Sequence, residues 1–587
     1  FDKSGKYLYF FASTDAGPVR HWFAMSNADM EMTHVAYLVV LSKGVPSPLA
    51  KESDEEAAEE EKPKEKTEEK KEVSVTVDLE GIQYRILDLP IQPGTFSDLQ
   101  AGTEGEIYFL EAAASSPGRY MRPDKLHHFT LKERKDNVIM EGVLAFDVSA
   151  DCKKILYLSR NVWAITAAGK KIQPGEGKLN TNAMEVRIDP VTEWQQIFDE
   201  AWRINRDYFY APNMHGRNWE AMKTKYAQFL PHLAWRQDLN LVIQWMCSEI
   251  AVGHHRVGGG DVLGDPERVP GGLLGADYVI ENGRYRFKKI YGGLNWNPEL
   301  RSPLTEPGVD VKEGEYLLAV RGIKLSPPTN LFSLFENTSG KLIEITVGPN
   351  PDGTGSRTVE VVPVASESSL RNRDWVEGNI KKVHEATDGR VAYVYVPNTS
   401  TLGHVYFKRY FFPQSDKEAI IVDERFNGGG QVADYYIDLL RRPGVLCYWN
   451  TRNCEDFKTP SASIPGPKVM LIDETAGSGG DLLPWMFRQL KIGPLIGKRT
   501  WGGLVGTLGF PMLMDGGYVT APNLAIWTEE GFVVENAGVP PDIEVEQWPK
   551  DVIEGRDPQL EKAIEVVMEQ LKQNPVKKWK RPPYPKR

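Results

Sequence analysis

Three short apolar runs constrain this chain more than any other feature: VAYVYV at 391–396, AIIVD at 419–423 and KVMLI at 468–472. A strand with one face in water alternates apolar and polar residues, whereas a run that is apolar throughout belongs to a strand buried on both faces. Segments of helical pattern separate the three runs, so this part of the chain reads as α/β. The second and third runs each lead into a glycine-rich loop, DERFNGGGQ and DETAGSGGD.

At 587 residues the chain has room for several domains. The opening, FDKSGKYLYFFAS, lacks the basic, apolar and small-residue order of a signal peptide. It starts inside a strand-like pattern, which reads as the middle of a longer gene product. No apolar run reaches the roughly 20 residues of a membrane helix. The formal net charge of −11 argues against a nucleic-acid partner. Cys152, Cys247, Cys447 and Cys454 are scattered and read as free thiols, with a Cys447–Cys454 bridge as the alternative.

Four regions are expected. Residues 1–185 are rich in strands, and FDKSGKYLYFFAS recurs as FDVSADCKKILYLS at 146–159, with a weaker copy at Gly105–Phe109. Repeated turn-plus-strand units predict β-propeller blades, with an unrelated β-sandwich as the alternative. Within this region 51–72 is almost devoid of apolar residues and is expected to be a flexible charged insertion. Residues 186–267 are helical. Thr192 and Gln195 suggest a capping box. Apolar stripes follow at Trp194, Ile197, Phe198, Ala201 and Trp202, then at Trp219, Met222, Tyr226 and Phe229, then from Leu239 to Ile250. Residues 268–366 return to strands and resemble a PDZ domain. Leu273, Leu274 and Gly275 would form its peptide-binding loop, unless the domain is a structural insert. Residues 367–587 are the α/β region, ending in the basic, proline-rich tail NPVKKWKRPPYPKR. That tail reads as a disordered end or as a strap for an acidic surface.

Four loops carry candidate chemistry. In DERFNGGGQ three consecutive glycines can leave amides uncovered for a developing oxyanion, or simply turn the chain. In DETAGSGGD Ser478 stands at a strand-to-helix turn, exposed to the positive helix end. That position suits a nucleophile, an N-cap or a phosphate cradle. His254 and His255, in AVGHHRVGGGD, are adjacent and lack the spacing of metal ligands, so a general base is the favoured reading. Glu535, in VVENAGVPPDIEV, can orient a histidine or merely face water.

The ordered set VGHHRVGGGD, FNGGG, ETAGSGGD, KRTWGGLVG and ENAGVPPDIEV, with a PDZ-like insert between the first two, resembles the tricorn protease family and, more distantly, the tail-specific peptidases that process protein C-termini. The resemblance covers essentially the whole chain. It implies propeller blades, a helical catalytic subdomain, a PDZ-like domain and an α/β crotonase-like catalytic domain. It implies a serine peptidase with Ser478 as nucleophile, His254 as base, Glu535 as carboxylate, and Gly428, Gly429 and Gly479 around the oxyanion. Gly253 stands where the family carries a second serine, and a shifted register would make His255 the base. It further implies short or unfolded peptide substrates, no cofactor, no metal, no membrane partner, a homo-oligomer that is often a hexamer, and a cytoplasmic setting unless the chain is exported. Two rival readings are a peptide-binding scaffold with a dead site and, from the crotonase-like fold, a thioester enzyme.

Overall fold

The computed structural model describes residues 1–13, 17–18, 30–31, 33–50, 74–112, 124–262 and 267–587. The charged insertion expected at 51–72 lies outside the described residues. The chain divides into two units, Phe1–Ile188 and Asp189–Arg587.

The first unit is built of antiparallel meanders. β1 (Tyr7–Ala12), β2 (Val35–Val40) and β3 (Ile86–Asp88) form one sheet. β4 (Phe96–Ala101), β5 (Glu106–Glu111), β6 (Asp124–Thr130) and β7 (Lys135–Val143) form a second. β8 (Ala145–Val148), β9 (Lys154–Ser159) and β10 (Val162–Ala167) form a third. The two related sequence copies supply β1 and β9. Each follows an acidic turn: Asp2 accepts the Gly105 amide at 2.8 Å and Asp151 accepts the Lys153 amide at 3.1 Å. Ile107, Tyr108, Phe109 and Leu110 of β5 are all buried, so this strand is packed on both faces.

The second unit opens with three helices, α1 (Pro190–Tyr208), α2 (Trp219–Ala227) and α3 (Arg236–Ser248). The expected capping box gives way to an earlier start. Asp189 caps α1 by accepting the Val191 amide at 3.3 Å, and Pro190 is its first residue, where a missing N–H costs nothing. Phe229 falls beyond α2, and α3 ends five residues before Gly253. The predicted stripes otherwise face one core of Ile197, Phe198, Trp202, Leu239, Ile243 and Met246.

Next comes an antiparallel sheet in the order β11 (Ala276–Glu281), β12 (Arg284–Ile290), β13 (Tyr316–Val320), β14 (Ile343–Gly348), β15 (Arg357–Val361). Leu331–Phe335 forms a 3-10 turn beside it. After α4 (Ser368–Ala386) the three apolar runs take their places as β16 (Val391–Tyr395), β17 (Ala419–Asp423) and β18 (Lys468–Ile472) of a five-stranded parallel sheet. Two short strands complete it: β19 (Leu495–Gly497) and β20 (Ile543–Glu544). α5 (Thr401–Phe411), α6 (Ala433–Leu440), α7 (Gly479–Gln489) and α8 (Pro558–Gln573) accompany the sheet. Because β17 and β18 are parallel neighbours in register, Asp423 against Leu471, both glycine loops leave the same edge of the sheet.

The tail is folded back on its own domain, not free. Arg581 reaches Asp456 through both Nε at 2.9 Å and Nη2 at 2.6 Å, and Trp579 packs against Tyr448. Cys447 and Cys454 are both exposed and unbridged.

Candidate active site

Ser478 sits one residue ahead of α7 with φ 58° and ψ −116°, a conformation that L-residues rarely adopt and that costs of order 1–3 kcal/mol. Asp481 holds it there. The two oxygens of this buried carboxylate collect four donors: the Ser478 amide at 2.9 Å, Gly503 N at 3.0 Å, Gly502 N at 2.8 Å and the Thr500 hydroxyl at 2.5 Å. Asp473, at the exit of β18, fixes the start of the same loop by accepting the Ala476 amide at 2.9 Å and the Phe426 amide at 3.1 Å. The loop therefore ties the nucleophile candidate both to the helix start and to the neighbouring glycine loop.

That glycine loop lies directly against Ser478. At Gly429, φ +84°, an added Cβ would lie 2.7 Å from the Ser478 Cβ and 3.1 Å from its Oγ, so only glycine fits. The three expected oxyanion donors differ. The Gly428 amide is committed to Pro397 O at 3.0 Å and the Gly429 amide to Asn427 Oδ1 at 2.9 Å. Gly479 opens α7, where the amide has no carbonyl one turn back to bond. Of the three, Gly479 is therefore the available donor, and the positive helix end adds to it.

His254 also has a left-handed backbone, φ 62°. Its carbonyl accepts the Thr520 hydroxyl at 2.5 Å. Glu535 takes the Gly253 amide at 2.7 Å and the Val505 amide at 3.0 Å. Asn536 donates to Ala251 O at 2.8 Å, and His215 Nδ1 meets Ile250 O at 3.1 Å. The expectation that Glu535 orients the imidazole is thus altered: its carboxylate grips the main chain just before the ring, and the buried His254 Nδ1 has no hydrogen-bond partner among the described residues. Burial, with a smaller contribution from Arg256, lowers the His254 pKa and so favours the neutral ring. His255 turns away into the helical core, where Nε2 meets Asn205 Oδ1 at 2.8 Å and burial pushes its pKa down to about 4.

Trp501 is the surface that these loops share. Its ring centroid lies 5.5 Å from that of His254. A Cβ at Gly477 would come within 2.5 Å of the indole, and one at Gly253 within 3.3 Å. Gly503 closes the join: its carbonyl accepts the Ser478 amide at 3.1 Å, and its Cα lies 3.3 Å from where a Gly253 Cβ would stand. The loops carrying Ser478, His254, Glu535 and Gly429 are thus in one neighbourhood.

The proposed peptide loop of the PDZ-like sheet lies elsewhere and is closed. Leu273 exchanges backbone hydrogen bonds with Val364, both 2.9 Å, Leu274 is in the core, and Gly275 O accepts the Tyr291 amide at 2.8 Å. Tyr278, Leu331, Phe332 and Phe335 line the adjoining crevice, which is too narrow to admit water. Glu367 lines it as well, and its carboxylate is paired with Arg371 at 2.6 Å. Among the described residues, no group of three or more His, Cys, Asp or Glu side chains is arranged to hold a metal ion.

Sequence reasoning passed over Asp473, Asp481, Trp501 and Thr520. Asp481 and Trp501 lie inside the recognised motifs ETAGSGGD and KRTWGGLVG, so a signal existed without a role attached. Thr520 lies in no motif, and nothing near it in sequence points to residue 254.

Family models match three segments: the Tricorn protease C1 domain over 190–248, the Tricorn protease PDZ domain over 272–366 and Peptidase family S41 over 390–545. The chain is 31% identical to tricorn protease homolog 1 of Streptomyces coelicolor, covering 98% of this chain and 55% of that protein. It is 30% identical to the tricorn protease homolog of Saccharolobus solfataricus, covering 97% of this chain and 52% of that protein. The crystal structure of the tricorn protease superposes with a TM-score of 0.84 at 27% identity, covering 97% of this chain and 54% of that one. The chain therefore spans about half the length of these relatives.

Proposed function

Because this chain belongs to the tricorn protease family, we propose that it is a serine peptidase acting on short or unfolded peptides through an acyl-enzyme. The observation that carries this reading is the placement of Ser478: held in a strained backbone at the start of α7, beside the available Gly479 amide, with the neutral His254 ring across Trp501. His254 takes the Ser478 proton as the hydroxyl attacks the peptide carbonyl. The Gly479 amide and the helix end stabilise the oxyanion, an interaction worth about 3–4 kcal/mol per donor in known cases. The imidazolium then protonates the leaving amine, and water releases the acyl group. Glu535 acts through the main chain, fixing Gly253 and with it the ring that follows. Nothing in this sequence of steps calls for a metal or organic cofactor.

The same reading divides the chain at 185, 267 and 366. It takes the antiparallel meanders as propeller blades and the parallel sheet with its helices as crotonase-like, and it places the working enzyme in a homo-oligomer.

Ser478→Ala is expected to abolish cleavage of a fluorogenic oligopeptide while leaving the circular dichroism spectrum and Tm unchanged. A serine-directed fluorophosphonate should label wild type and not the variant. Undiminished turnover in Ser478→Ala would end this reading, and absence of labelling in wild type would favour a noncatalytic scaffold.

A further inference from the structure

Glu424, the first residue after β17, is completely buried, and neither carboxyl oxygen has a hydrogen-bond partner among the described residues. The mechanism above gives it no task. Its charged neighbours are Asp473, Asp481 and Asp423. The nearest cation in sequence, Arg425, is already engaged by Asp423 at 2.6 Å and Asp557 at 2.9 Å. Burial first, and then the three aspartates, push the Glu424 pKa well above the usual carboxylate range.

The neighbours give this position its meaning. Asp473 and Asp481 are the two carboxylates that fix the Ser478 loop. The Glu424 amide donates to Leu471 O of β18 at 3.1 Å, and its carbonyl accepts the Asn427 amide at 3.1 Å. Asn427 in turn holds Gly429 against Ser478. Glu424 therefore sits at the junction of both catalytic loops, near the two bracing carboxylates and, among the described residues, without a hydrogen-bonded cation of its own.

We propose that Glu424 is a positioning residue that must keep its proton, and that releasing this proton to solvent displaces the two loops and dismantles the Ser478 site. The proposal rests on the reading of Ser478 as the nucleophile. An ionised Glu424 would place an unpaired charge in a fully buried site, and the chain relieves that cost by moving the carboxylate toward water.

The sign of the linkage follows. The unfolded chain ionises Glu424 at the ordinary carboxylate pKa, about 4.3, whereas the folded chain retains the proton. The folded state then binds one more proton, so stability falls as pH rises above the unfolded value and stops falling once the folded pKa is passed.

Glu424→Gln keeps the shape and cannot ionise. In denaturant titrations, the folding equilibrium of wild type should lose about tenfold per pH unit relative to Glu424→Gln across this window. The ratio of peptidase activity, Glu424→Gln over wild type, should rise toward alkaline pH. Difference infrared spectra should show the carbonyl band of a protonated carboxylic acid in wild type at neutral pH, absent from Glu424→Gln. Glu424→Leu, of similar volume, serves for the same band if the amide variant does not fold. Parallel pH dependences of stability, or no such band in wild type, would overturn the proposal. The stability and infrared readouts need no turnover, so they decide the role of Glu424 even if the peptidase reading fails.

Discussion

The Ser478 loop and the His254 loop both hold a residue at positive φ, but they are built by opposite means. The Ser478 loop is braced from within its own domain. Asp473 and Asp481 lie five residues before and three residues after the serine, are buried, and collect a full set of backbone donors. The His254 loop has no such internal brace. It hangs from Thr520, Glu535 and Asn536, which reach it from 266, 282 and 285 residues away in sequence. The nucleophile side is therefore part of the rigid sheet edge, while the base side depends on how the helical subdomain docks on the segment 500–536. Damage to the first should cost folding and catalysis together. Damage to the second should cost catalysis more than folding.

The most severe test is Asp481→Asn. Turned one way, the new amide nitrogen would face the Ser478 and Gly503 amides; turned the other, it would face the Gly502 amide and the Thr500 hydroxyl, of which only the hydroxyl can turn to accept. Each buried donor left unsatisfied costs about 1–3 kcal/mol. Displacement of the serine by about an ångström would add a loss on the order of 100-fold in kcat. Both effects should appear in one variant, as a lowered denaturation midpoint and a collapse of turnover. If Asp481→Asn turns over normally, the claim of a rigid nucleophile loop is wrong.

Thr520→Val probes the other loop. It removes the donor to the His254 carbonyl and the acceptor of the Arg256 amide, 2.6 Å away, while preserving shape. Both groups are partly exposed, so the loss in stability should be about 1 kcal/mol or less. Turnover should drop by about tenfold with KM nearly constant, since about 1.4 kcal/mol of lost ring placement is a factor of ten in rate. Thr520→Ser should restore most of it. A variant that unfolds as readily as Asp481→Asn would erase the distinction between the two loops.

The same contrast explains what could be read from the sequence. Strands buried on both faces leave continuous apolar runs, so β16, β17 and β18 were legible. β19 and β20 are two or three residues long and leave no pattern at all. Ser478 and His254 were visible because unusual backbone demands small neighbours, and the glycines around them advertise it. The helix limits slipped because Asp189 and Pro190 make a stronger start than Thr192. The committed amides of Gly428 and Gly429 could not be foreseen, because their acceptors are set by tertiary placement. Glu535 was recognised as a residue of interest, but its partner, the main chain at Gly253 and not the imidazole, depends on a docking that the sequence does not encode locally. Leu273 and Leu274 have the composition of a peptide loop, and only the packing of Tyr278 and Phe332 along the crevice shows how narrow it is.

The finest probe of the base side leaves every hydrogen bond in place. Arg256 is exposed and lowers the His254 pKa through its charge, second to burial. Arg256→Gln keeps the backbone groups that bind Thr520 and removes only the cation. With His254 as the base, activity rises as the ring loses its proton, so the acidic limb of kcat/KM tracks the pKa of the free enzyme. In wild type that limb should lie below the ordinary histidine value. In Arg256→Gln the imidazolium is less disfavoured, the pKa rises, and the limb should move to higher pH with the plateau unchanged. Because Arg256 is exposed, raising the salt concentration should move the wild-type limb in the same direction and leave the variant nearly still. A limb that ignores both the substitution and the salt would assign it to a group other than His254.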